Sequence, residues 1–289
     1  MRRAAALLLP WALGCAAGSG VPPSLRELPA SDEETRRAAD EIRRELGEGF
    51  LVELVEGIFF AATDDTAENF ARHRATIALV FRFLRSDYLK RIPSRPVRVY
   101  LFRDRRGYEG YCRAAYGEPP STPFGFYRAG ERKIVLDIST GGGTLAHEIV
   151  HPLLAEDFPG VPSWLNEGFA SLFERFRERD GAVEGRPNWR LPVLQRALRD
   201  GRAPGLRRLL ESPPNEFYGD ERGVSYAAAR HLCLWLQERG LLARFYREFR
   251  DGAAADPSGL RTLERVAGRA LADLERDWTA WVRDLRPGD

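Results

Sequence analysis

The sequence predicts an α+β protein, in which a mixed N-terminal part with a small sheet and one chemistry-bearing helix is followed by an all-helical C-terminal part. Two observations predict it. Short apolar or alternating runs of strand length, such as Val97–Phe102 and Lys133–Ile138, occur only in the first half, whereas from Ser163 onward the apolar residues recur at helical spacing. At 289 residues with 44% hydrophobic content, the chain is long enough for one large domain or two small ones and is not of disordered composition.

The elements follow in order. A charged helix is expected up to Leu46. Phe50–Ala62 reads as β-structure turning at Gly57, and residues 66–89 as a helix with Thr66 as N-cap. A strand over Pro96–Phe102 and a short helix over Asp104–Tyr116 come next, then a strand pair over Phe124–Ile138 that turns near Ala129 and Gly130. Gly141, Gly142 and Gly143 break the second strand, and Thr144 can begin the next helix. Helices are then expected over 163–179, 188–200, 206–211, 221–239 and 241–250, with a final pair over 258–286. The boundaries expected from this are residues 33–178 for the mixed part and 179–289 for the helical part.

The chain opens as an export signal does: Met1-Arg2-Arg3 supplies positive charge, and a short apolar run ends in small residues by Ala17. The run is too short to span a bilayer. Within it, Ala12-Leu13-Gly14-Cys15 resembles a bacterial lipobox, with Ala12 where Leu is usual. That resemblance implies a lipidated Cys15, membrane attachment through it and a place in the cell envelope, whereas a simple signal implies cleavage and export alone. Residues 18–32 suit a linker. Cys112 and Cys233 would then be the only cysteines of the mature protein, either bridged or separately buried.

Charge excludes one class of partner. The 44 basic and 42 acidic residues nearly cancel to +2, and the arginines are spread along acidic-basic helices, so no nucleic-acid-binding surface is expected.

The chemistry resides in His147-Glu148-Ile149-Val150-His151, the pattern H-E-x-x-H. On a helix, residues four apart share a face, so both imidazoles can approach one cation from adjacent turns. Glu148 is rotated about 100° from His147 and flanks such an ion, where a carboxylate can take a proton from water held by the metal. The competing reading is an amphipathic helix with two incidental histidines.

The next helix, Ser163-Trp164-Leu165-Asn166-Glu167-Gly168-Phe169-Ala170-Ser171-Leu172-Phe173-Glu174, resembles the second conserved segment of gluzincin metallopeptidases, above all the aminopeptidase N branch. Together with Leu145–Leu154 it is also similar to the short peptidase-MA-like domains of bacterial envelope proteins. The resemblance implies a zincin-like fold and Glu167 as third ligand, beside His147 and His151, to one zinc ion. Three protein ligands and an open position suit a catalytic zinc. It further implies peptide or protein substrates, with Tyr226 donating a hydrogen bond to the oxyanion; the competing reading of Tyr226 is a helix-start aromatic packed on the core. The Gly-Ala-Met-Glu-Asn segment with which the aminopeptidase branch reads an amino terminus is missing before His147, so aminopeptidase activity is not implied.

Lesser residues complete the reading. Ser171 shares a face with Glu167, either supporting a ligand histidine or simply packing. His231, beside Leu232 and Trp235, reads as a core histidine, with a substrate or oxyanion role as the alternative, and His73 as a surface residue without a partner. Pro152 removes a helical hydrogen bond next to Glu148 and could kink the helix there. The strand Lys133–Ile138 is expected to present an edge to an extended peptide. Zinc peptidase is thus the leading expectation. A catalytically silent, zinc-holding envelope module is the alternative, and an exported helical interaction protein is the third.

Overall fold

The computed structural model describes residues 32–179 and 181–287. The export segment, Cys15 and all of the expected linker except Asp32 lie outside the described residues. Among the described residues, no helix is long and apolar enough to cross a membrane.

The protein is a mixed α/β structure. Its first part runs α1 (Asp32–Leu46), β1 (Leu51–Val55), β2 (Phe59–Thr63), α2 (Ala67–Asp87), β3 (Val97–Phe102), α3 (Arg105–Tyr116), β4 (Gly125–Arg128), β5 (Lys133–Asp137) and α4 (Gly142–Asp157). The second part begins with α5 (Ser163–Ala170), a 3-10 turn over Ser171–Glu174, and two strands, β6 (Phe176–Arg179) and β7 (Ala182–Gly185). Then come α6 (Leu191–Arg199), α7 (Leu206–Glu211), α8 (Pro214–Phe217), α9 (Arg222–Glu238), α10 (Leu242–Gly252), α11 (Leu260–Ala267) and α12 (Leu271–Asp284).

Five strands form one sheet in the order β1-β2-β3-β5-β4. β1 and β2 are an antiparallel hairpin, β2, β3 and β5 run parallel, and β4 returns antiparallel to β5. The hairpin turns at Glu56 and Gly57, both with positive φ. Alternation along the strands divides the core in two, because successive side chains point to opposite faces. Phe59, Ala61, Val97, Val99, Leu101, Ile134 and Leu136 join the larger cluster with α2, α4 and the later helices. Phe60, Ala62, Tyr100, Phe102 and Val135 join the smaller one with Ile42 of α1 and Cys112 of α3. Both faces of the sheet are therefore covered, as parallel strands require.

Three expectations need correction. The chain after Ser163 is not helical throughout: Phe176–Arg179 pairs with Ala182–Gly185 as a small hairpin. Phe176 is half-buried, Arg177, Glu178 and Arg179 are exposed, and Val183 is the hairpin's one fully buried apolar side chain, so helical charge patterning masked the strand. Secondly, β5 is not an edge, since it lies between β3 and β4, and β4 takes the edge. Thirdly, His73 is mostly buried, with Nε2 3.7 Å from Asp65 Oδ2.

Other readings of local structure hold. Thr66 caps α2 by accepting from the Asn69 N–H. Cys112 and Cys233 are both free thiols, buried in different clusters. The helix that carries the H-E-x-x-H residues starts at Gly142, ahead of the expected Thr144, and runs on through Pro152 to Asp157.

Candidate metal centre

α4 lies under the sheet with most of its side chains buried, and its two histidines face α5. α5 is short and is seated against α9 at Gly168. A Cβ there would come within 2.6 Å of the Ala229 carbonyl oxygen, so only glycine permits this approach. Gly143 plays the same part at the start of α4, where a Cβ would run into the backbone of Glu174. These two contacts bring the carboxylates of the second part onto the histidines of the first.

His147, His151 and Glu167 converge, each buried, with one donor atom apiece all within 4.8 Å of one another. Glu167 Oε2 lies 3.4 Å from His147 Nε2 and 3.9 Å from His151 Nε2. Ligands about 2.0–2.1 Å from a tetrahedral zinc stand about 3.3 Å apart, so the set is close to the size such an ion requires. The ring planes are inclined at 75° with centroids 4.9 Å apart, as for two imidazoles aimed at one point. Glu148 stands alongside, its Oε2 4.0 Å from His151 Nε2. The three buried side chains can hold a metal ion.

The remaining atoms of the set are held by residues that sequence reasoning missed. Asn166 Oδ1 lies 3.1 Å from His151 Nδ1, which places that ring's proton on Nδ1 and turns the Nε2 lone pair toward Glu167. Glu174 Oε1 lies 3.4 Å from His147 Nδ1, without hydrogen-bond alignment. Arg190 grips Glu174 with two hydrogen bonds, Nε to Oε2 at 2.9 Å and Nη2 to Oε1 at 2.6 Å, and Asn188 adds a third at 2.8 Å. Tyr218, at the end of α8, donates to Glu167 Oε1 at 2.9 Å and leaves Oε2 for the histidines.

Charge in this buried cluster is mutually arranged. Burial opposes a proton on His147, but Glu167 and Glu174 outweigh it and push the pKa up to about 10. Burial also works against ionised Glu167, yet His151, His147 and Tyr218 hold its pKa down to about 2. Glu174 is likewise held well below the usual carboxylate range, burial notwithstanding, by His147 and Arg190. Glu148 alone is raised: burial dominates, and the histidines only partly offset it. Among these carboxylates it is therefore the one best suited to accept a proton.

The set opens into a cleft of about 430 Å³ lined also by Gly125, Phe126 and Tyr127 of β4, and by Tyr218 and Tyr226. Tyr226, in the first turns of α9, is half-buried with its ring 5.1 Å beneath the Arg190 guanidinium. Burial, with the nearby Glu167 and Tyr218, raises its pKa far above the usual value, so it remains a hydroxyl donor. Ser171 donates to the Gly168 carbonyl and serves packing. His231 is fully buried, Nδ1 donating to the Ala227 carbonyl at 2.7 Å, away from the cleft lining. No protein-family model matches the chain, and no curated protein matches it either.

Proposed function

We propose that the protein is a zinc-dependent metallopeptidase of the gluzincin type. The observation that carries the reading is the convergence of His147, His151 and Glu167 at the wall of an open cleft, with Glu148 alongside, 4.0 Å from His151. His147, His151 and Glu167 would hold the ion. Bound there, zinc supplies Lewis acidity and a water acidic enough to ionise near neutral pH.

The chain's own residues do the rest. Glu148 accepts the proton of the attacking water and returns it to the departing amine nitrogen. The Tyr226 hydroxyl donates to the carbonyl oxygen as it gains negative charge. β4, with its outer edge unpaired in the sheet, offers backbone groups along which an extended peptide can align.

The expected outcome for Glu148→Gln is one equivalent of zinc retained and peptide hydrolysis reduced by a factor of about 10² or more. Metal analysis and a peptide-cleavage assay on the same preparation check both halves. Hydrolysis unchanged in that variant would overturn the mechanism. His151→Ala is expected to release the ion, and a full equivalent bound in it would overturn the ligand set.

A further inference from the structure

We infer that the cleft takes an internal stretch of an extended polypeptide and cuts it beside a bulky apolar or aromatic side chain, rather than trimming residues from a chain end. This rests on the peptidase reading and concerns what that site admits.

A site that trims chain ends needs a fixed charge for the terminus: a carboxylate for an amine, an Arg or Lys for a carboxylate. Among the described residues lining the cleft there is no Arg and no Lys, and the only carboxylates are Glu148 and Glu167. Glu167 is committed to the histidines and Tyr218, and Glu148 to proton transfer. Cations beside the lining are engaged elsewhere. Arg190 is locked on Glu174, Arg128, at the end of β4, pairs with Glu131 at 2.7 Å and lies over the Tyr116 ring, and Arg132, near Tyr127, donates to the Arg95 carbonyl at 2.6 Å and faces Glu156 at 3.7 Å.

What the cleft does offer is aromatic surface. Phe126, Tyr127, Tyr218 and Tyr226 line it with Ala155 and Val161. Of these, Tyr218 is well exposed, and the exposed Phe124 directly precedes cleft-lining Gly125 in the chain. At about 430 Å³ the space accommodates a large side chain together with flanking backbone. Neutral backbone entering past β4, with an aromatic ring among these four, matches a lining that offers aromatic surface and no free cation.

The test uses the zinc-loaded full chain and three decapeptides. One carries a single central Phe among Gly, Ser and Ala, with free ends; the second is the same peptide N-acetylated and C-amidated; the third is the blocked peptide with Ser in place of Phe. Products are read by mass spectrometry. The expected result is cleavage of both Phe peptides at a bond next to Phe and at closely similar rates, with the Ser peptide slower by about tenfold or more. Blocking that slows cleavage by about thirtyfold or more, the loss when a charged partner is removed, or products shortened by single end residues, would overturn the inference while leaving the peptidase reading intact. Equal rates on Phe and Ser peptides would also overturn it. Absence of any cleavage, with Glu148→Gln indistinguishable from the parent, sinks the peptidase reading and this inference together.

Discussion

Glu174 follows Glu167 by two helical turns and ends on the far side of the same histidine. A carboxylate behind a ligand imidazole fixes ring orientation and raises its basicity, and loss of such a partner typically costs 10–100-fold in metal affinity. Glu174→Gln keeps an acceptor for Arg190 and Asn188 but removes the charge, so affinity for the proposed zinc ion is expected to fall about tenfold with the fold intact. A chelator competition titration beside a circular dichroism spectrum checks this, and unaltered affinity would count against the role. At this scale the sequence was legible where the chemistry is local. His147 and His151 share one helix face by spacing alone, with Glu148 a quarter turn to the side, and Glu167 was named through the gluzincin resemblance of its segment. Asn166, Glu174, Arg190 and Tyr218 were not legible, because each acts through a partner brought near only by the folded chain. Arg190 and Tyr218 had no spacing signal at all, whereas Asn166 and Glu174 sat inside the quoted segment without a distance to single them out.

The helix α4 is anchored at its far end by Asp157, whose side chain is fully buried. It accepts from the backbone N–H groups of Lys90 and Arg91, each at 2.7 Å, from the Tyr246 hydroxyl at 2.9 Å and from Arg250 at 2.7 Å. One carboxylate thus ties the end of the site helix to the loop before β3 and to α10. Asp157→Ala leaves a largely buried guanidinium, a phenol and two amides without their acceptor, and is expected to cost about 3–5 kcal/mol of stability. Urea unfolding measures it, and a loss under about 1 kcal/mol would show that water replaces the carboxylate. Most elements were legible from periodicity, since their amphipathic faces are long enough to show a period. The exceptions were governed by pairing. Phe176–Arg179 is a strand only because Ala182–Gly185 lies against it, and β4 gains the edge because β5 inserts beside β3. Neither pairing is encoded within the segment itself.

Across the whole molecule, one apolar cluster runs from Val55 in β1 to Leu285 beyond α12, and buries His231 within α9. Burial, against the hydrogen bond to Ala227 and with Arg230 and Arg190 nearby, pushes the His231 pKa down to about 3. The unfolded chain binds this proton near pH 6.5 and the folded one does not, so stability falls as the pH drops below about 6.5, by about 1.4 kcal/mol per unit. His231→Leu removes that dependence. Relative to the parent, the variant is expected to gain about 2 kcal/mol between pH 7.5 and pH 5, read from paired urea melts. A gap between the two proteins that does not change with pH would contradict a neutral buried ring.

That continuous core also bears on how the cleft behaves. Its walls come from β4, α4, α5 and the start of α9, and apart from the edge strand they are rooted in the same packed interior. Close-packed interiors transmit strain and resist partial opening. Walls rooted in this way give the slot little room to widen, and the expectation for the proposed peptidase is that a guest arrives already slim, as a loose strand and not as a folded globule.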